Sequence, residues 1–254
     1  MFFTLNYLWQ MYSKVRSEEM SAKYNNFSCS TMHTYPFIKK LIETSPSVAH
    51  LKQPLVQAVT MLVKCVRSGG KILICGNGGS AADAEHIVGE LMKGFLLPRP
   101  PLPEQIHALE IAFPDSGAQL AANLQRPIPA ISLVASVSLA TAFANDVAAE
   151  FIFAQQVFGL AKQEDVLWGL STSGNSSNIL HAFQVARAFN VKTLGFTGGN
   201  GGKMATLCDV EIRAPHTRTP AIQEIHLPLY HAICAEVEAI LFNVSRNNAD
   251  TYFE

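Results

Sequence analysis

Lys71-Ile72-Leu73-Ile74-Cys75-Gly76-Asn77-Gly78-Gly79-Ser80-Ala81 is the stretch on which the fold turns. Residues 71–75 read as a buried strand, the glycines bend the chain, and residues 81–92 restore apolar side chains at helical spacing. The pattern recurs downstream. Residues 130–134 are a second strand, followed by helices over about 138–160. Residues 165–170 and 192–196 open two more strand–helix units, 210–213 form a last strand, and 221–243 a long closing helix. Strands separated by helices imply a parallel sheet covered on both faces. The fold class is α/β, a three-layer αβα sandwich.

Upstream, Leu51, Leu55, Val59, Leu62, Val63 and Val66 recur at helical spacing, so residues 35–67 read as two helices, the second stopped by Ser68-Gly69-Gly70. Residues 1–31 show weak periodicity and no signal-peptide pattern. Met32 is a candidate native start, with 1–31 an N-terminal extension and 32–254 a single domain. Seven of the thirteen prolines fall between Pro98 and Pro129. Residues 98–128 therefore read as an irregular insertion with at most a short helix near Gln119, either a disordered surface loop or a cover for a site or neighbouring subunit.

Of the 254 residues, 48% are hydrophobic and 15% charged, against about 25% charged in ordinary soluble domains. Surface covered by other subunits accounts for that deficit. A net charge of −1 argues against nucleic acid or an anionic membrane as partner, and the composition argues against a spanning helix. Cys29, Cys65, Cys75, Cys208 and Cys234 are odd in number and lack CxxC spacing, which excludes a disulfide framework and fits a reducing, cytoplasmic location. An anionic ligand must then be held by local geometry.

Three turns offer that geometry, each after a strand: Gly76-Asn77-Gly78-Gly79-Ser80-Ala81, Ser171-Thr172-Ser173-Gly174-Asn175-Ser176 and Thr197-Gly198-Gly199-Asn200-Gly201-Gly202. Glycines let a ligand approach the backbone, helix N-terminal amides face it, and four hydroxyls in the second turn add donors for phosphate oxygens. Helix capping explains any one turn, but not all three together. The first turn meets the relaxed dinucleotide fingerprint, yet no acidic residue ends a second strand about 20 positions on. A P-loop fails for want of Gly-Lys-Ser/Thr. His86 and Glu90 share one helix face, and Gln223, Glu224, His226 and His231 cluster on the closing helix. Such a set can hold a metal in an open N/O site or serve as an acid/base pair, and spacing alone leaves both readings open.

Cys75-Gly76-Asn77-Gly78-Gly79-Ser80-Ala81-Ala82-Asp83-Ala84-Glu85-His86, Leu170-Ser171-Thr172-Ser173-Gly174-Asn175-Ser176, Ile222-Gln223-Glu224-Ile225-His226 with His231, and Asn145-Asp146 before Phe153-Ala154-Gln155-Gln156-Val157 together resemble the sedoheptulose 7-phosphate (phosphoheptose) isomerases of the sugar isomerase (SIS) domain family. The resemblance spans residues 48–238, broken by the insertion. It implies a flavodoxin-like five-stranded parallel sheet with N-terminal helices, and a homotetramer with sites between subunits. It also implies one zinc per subunit at His86, Glu90, Gln223 and His231. A phosphorylated sugar would meet Asn77, Gly78, Gly79, Ser80, Asp146, Ser171, Thr172, Ser173, Ser176 and Gln223. The implied reaction is aldose–ketose isomerisation of sedoheptulose 7-phosphate through an enediol, with Glu90 as base and His231 as partner acid.

The chain departs from the family pattern at Met92-Lys93-Gly94-Phe95, where the usual cation is moved by one position, at Pro220-Ala221 in place of an arginine, and in the insertion. These changes bear on which phosphosugar is used. Alternatives are an isomerase for another phosphosugar and a non-catalytic tetrameric module that binds a replication initiator. Retention of His86, Glu90, Gln223 and His231 together favours catalysis.

Overall fold

The structure, a computed structural model, describes residues 35–242. The candidate start at Met32 and the extension 1–31 lie outside the described residues. Five parallel strands form one sheet: β1 (Ile72–Gly76), β2 (Ala130–Ser132), β3 (Val166–Leu170), β4 (Lys192–Gly198) and β5 (Val210–Ala214), in the order β2-β1-β3-β4-β5. This is the flavodoxin-like order, and it reverses direction between β1 and β3. Strand alternation divides the core. Ile72, Ile74, Trp168 and Phe196 pack on one face under α2 (Lys52–Arg67), α3 (Gly79–Met92) and α9 (Thr219–Leu241). Leu73, Cys75 and Leu167 pack on the other under α7 (Ile152–Leu160) and α8 (Ser177–Ala188). The expected three layers are present.

At the start of the described chain, α1 (Pro36–Thr44) and a 3-10 turn (Pro46–Leu51) lead into α2, in place of two simple helices. The buried Glu236 carboxylate of α9 accepts the Phe37 and Ile38 N–H groups at 2.7 and 3.1 Å, filling the role of a missing N-cap side chain.

The proline-rich segment corrects the sequence reading. It contains α4 (Pro103–Ala112) and α5 (Gly117–Asn123), the second covering the short helix expected near Gln119. Pro103 occupies the first helical turn, where its missing N–H costs nothing, and Gln105 Oε1 accepts the Leu102 N–H at 2.9 Å. Proline density therefore marked a helix start as well as a break.

Two other boundaries moved. The second strand ends at Ser132, and α9 begins at Thr219 with Pro220 in its first turn. The helical stretch expected over 138–160 is divided into α6 (Val137–Phe143), a π-turn (Ala144–Ala148), a 3-10 turn (Ala149–Phe151) and α7. Within Val137–Leu160 an 18-residue window reaches mean hydropathy 1.3, long and apolar enough by length and composition alone to cross a bilayer. Asp146 and Glu150 lie near its middle, where a charge costs about 2.5–3.5 kcal/mol in a membrane.

His226, grouped by sequence with the site candidates, belongs to the core. Its ring is fully buried, with Nε2 3.0 Å from the Thr197 carbonyl oxygen. Burial lowers its pKa from 6.5 to about 4, only partly offset by that hydrogen bond. The native state thus holds neutral imidazole. Its contribution is complete above pH 6.5 and is lost as pH falls towards 4, by about 1.4 kcal/mol per unit and roughly 3 kcal/mol in all. Between pH 7 and 4.5, urea unfolding should show the native sequence losing about 2–3 kcal/mol more than His226→Gln. Equal losses would remove His226 as the cause.

Candidate active site

The sheet order brings the first two turns together at its switch point, where open α/β sheets bind ligands. Gly78, at φ 58°, supplies the bend that starts α3, and buried Ser80 follows in its first turn. Asn77 and Asn178 bridge the turns by reciprocal amide hydrogen bonds of 2.8 and 2.9 Å. An open cleft of about 620 Å³ lies there, lined by Asn77, Ser176, Ser177, Asn178 and the segment Ala148, Ala149 and Glu150.

In the second turn the Ser171 and Ser176 hydroxyls stand 3.1 Å apart, and Ser173 Oγ accepts the Asn175 N–H at 3.2 Å. Gly174 sits at φ 63° with its open side against the Gly201 carbonyl, so the third glycine turn buttresses the second. Met204 N–H donates to the Gly174 carbonyl at 3.0 Å and Lys203 N–H to Asn175 Oδ1 at 3.1 Å. The third turn is thus scaffold for the hydroxyl cradle.

Helix α9 reaches both turns. Thr219 Oγ1 lies 3.4 Å from Thr172 Oγ1, and a methyl added at Gly79 would meet the Gln223 carboxamide nitrogen at 2.6 Å. Two turns further along, α9 meets α3. His86 Nε2 is 3.2 Å from Glu90 Oε1 and 3.3 Å from His231 Nε2, and the ligand atoms of His86, Glu90 and His231 all lie within 4.8 Å of one another. Burial, and then the facing His86, lower the His231 pKa, which keeps a nitrogen lone pair free for a ligand or a proton.

Two nitrogens and one carboxylate oxygen at this spacing suit a divalent transition metal, and three protein donors leave positions for substrate oxygens. The structure brings together His86, Glu90 and His231 of the four expected ligands, and Gln223, two turns earlier on α9, packs over Gly79. Asp146 is exposed on the π-turn, its carboxylate accepting from Asn145 Nδ2 at 2.8 Å, while the residues just after it line the cleft. The displaced cation of the sequence, Lys93, points its ammonium at Glu90 Oε2, 3.5 Å away.

Comparison with known proteins decides the family. Profiles described as SIS domains match residues 37–126 and 131–244. Phosphoheptose isomerase of Aliarcobacter butzleri is 38% identical over 201 residues, covering 79% of this chain and 89% of that protein. The Helicobacter pylori enzyme of that name is 40% identical over 192 residues, 76% and 86% of the two chains. The chain belongs to the phosphoheptose isomerase family. Among solved structures, the family's member from Francisella tularensis superposes at TM-score 0.63 with 30% identity, covering 81% of this chain and 98% of that one. The Neisseria gonorrhoeae member gives 0.58 and 31%, covering 87% and 98%. Membership makes this chain an aldose–ketose isomerase.

The sequence reading missed a supporting layer behind the isomerase-type site. Tyr230, next to His231, contacts both His86 and Asp83, and Arg99 ties the insertion to the ends of α3 and α9. The signals existed: Asp83 and His86 share a helix face at i, i+3, and Glu236 and Glu238 interrupt an otherwise apolar stretch after His231.

Proposed function

We propose that this chain converts sedoheptulose 7-phosphate to a manno-heptose 7-phosphate. The convergence of His86, Glu90 and His231, on helices that also reach the hydroxyl-rich turns after β1 and β3, carries this reading. The amides and hydroxyls at Asn77, Gly78, Gly79, Ser80, Ser171, Thr172, Ser173 and Ser176 would hold the phosphate, and binding energy from that remote group would orient the reacting end. Glu90 would take a proton from the carbon beside the carbonyl and return it to the former carbonyl carbon. His231 would move a proton from the hydroxyl oxygen to the carbonyl oxygen of the resulting enediol, so that ketose becomes aldose with no net proton change. Zinc held by His86, Glu90 and His231, with Gln223 as the further expected donor, would polarise those oxygens.

A cytoplasmic homotetramer with sites between subunits belongs to the same reading. Val137, Val147, Phe158 and Ile111 support it: each is 63–67% exposed here, an apolar surface suited to burial by neighbouring subunits.

Metal analysis combined with turnover tests the reading. The purified protein should carry about one zinc per subunit, lose heptose formation on chelation and regain it with zinc. Turnover of a different ketose phosphate alone would move the substrate assignment, a shift for which Lys93 beside Glu90 gives a structural reason. Zinc-free protein that stays inactive after metal addition would sink the catalytic assignment in favour of a binding module.

A further inference from the structure

We propose that Tyr230 and Asp83 are positioning residues that hold His86 with its Nε2 lone pair turned towards Glu90 and His231, poised to bind a metal. The inference rests on the metal reading given above. The Tyr230 ring is fully buried, and its hydroxyl lies 3.2 Å from Asp83 Oδ1 and 3.1 Å from His86 Nδ1. A phenol has one proton to give, and an ionised carboxylate can only accept. Tyr230 therefore donates to Asp83, and its oxygen accepts from His86 Nδ1–H. In a neutral ring this leaves Nε2 unprotonated, facing Glu90 Oε1 at 3.2 Å and His231 Nε2 at 3.3 Å.

Such an arrangement sets the His86 Nε2 lone pair against a carboxylate oxygen, and a cation between them relieves the repulsion. Packing reinforces the orientation, because the His86 ring meets Tyr230 and His231 edge to face, with centroids 5.5 and 5.0 Å away. Metal-binding histidines commonly have their second nitrogen fixed by an outer hydrogen bond, and loss of that support typically weakens metal binding about 10–100-fold. The chain of two hydrogen bonds from His86 through Tyr230 to Asp83 serves that purpose here.

Zinc affinity, measured by chelator competition on the full chain, tests the proposal. Tyr230→Phe and Asp83→Ala should each weaken zinc binding about 10–100-fold. The double variant should be no weaker than Tyr230→Phe alone, since both act through one hydrogen-bonded chain. Thermal midpoints of the metal-free variants report whether the fold survives. In the zinc-loaded native chain, histidine ¹⁵N spectra should show His86 bound through Nε2 with Nδ1 protonated, a readout that needs no variant. Unchanged affinity in Tyr230→Phe, additive losses in the double variant, or coordination through Nδ1 would each overturn the relay. A native chain that takes up no zinc overturns the metal reading itself, a result distinct from equal affinities in native and variant chains.

Discussion

Glu90→Gln is expected to lower kcat for sedoheptulose 7-phosphate by about 10²–10⁴-fold, the usual contribution of a positioned general base, with KM changed far less. The substitution keeps shape and one carbonyl oxygen but removes the basicity needed to carry a proton between adjacent carbons. Glu90 is well placed for the role. Oε1 faces His86 at 3.2 Å while Oε2 accepts from Lys93 at 3.5 Å, so one carboxylate reaches both the donor cluster and the protein surface. The proposed phosphate cradle begins at the N-terminal end of α3, around Gly78–Ser80, and its affinity for inorganic phosphate should be unchanged. Steady-state kinetics decide the matter: a kcat within tenfold of the native value would exclude Glu90 as the base.

The second large effect is on stability. Arg99 and Glu238 form an ion pair whose side chains have no exposure, with Nε 2.6 Å from Oε1. Glu238 also accepts the Phe95 and Leu96 N–H groups at 2.9 and 2.8 Å, and Arg99 donates to the Leu91 carbonyl at 2.8 Å. Arg99→Met would strand a buried carboxylate and should cost about 3–5 kcal/mol in urea unfolding. Removing both charges while keeping an acceptor for the Phe95 and Leu96 N–H groups, as Arg99→Met with Glu238→Gln, should recover part of that loss, because paired burial of charge contributes little net stability. A single variant as stable as the native chain would show that water reaches the pair. Arg99 also approaches the Glu90 carbonyl at 3.4 Å, so the same pair pins the segment after α3 close to the candidate base.

Most of the architecture was legible because buried parallel strands leave continuous apolar runs, as at Ile72–Gly76 and Val166–Leu170. The cradle turns were legible through their glycines and hydroxyls. What failed to show was anything whose meaning depends on a distant partner. Pro103 reads as a breaker until its position in the first turn of α4 is known. His226 and His231 are the same residue type on one helix, five positions apart, yet one faces Thr197 in the core and the other faces His86. The contact of Gln223 with Gly79, 144 positions away in sequence, is another feature no local pattern announces. Arg99 among prolines carried no local pattern, because its partner lies 139 positions away.

Helix α9 supplies Leu229, Tyr230, Ile233, Cys234 and Val237 to the main core, and His231 to the donor cluster. Of the described elements it is also the last to leave the ribosome. The β1 and β3 turns can form earlier, but they then lack Thr219, Gln223 and His231. Docking of one helix therefore closes the core and supplies the site's last groups in a single event. A nascent chain would have no complete centre able to move protons on sugar phosphates, and maturation of the catalyst would wait on the translation of α9.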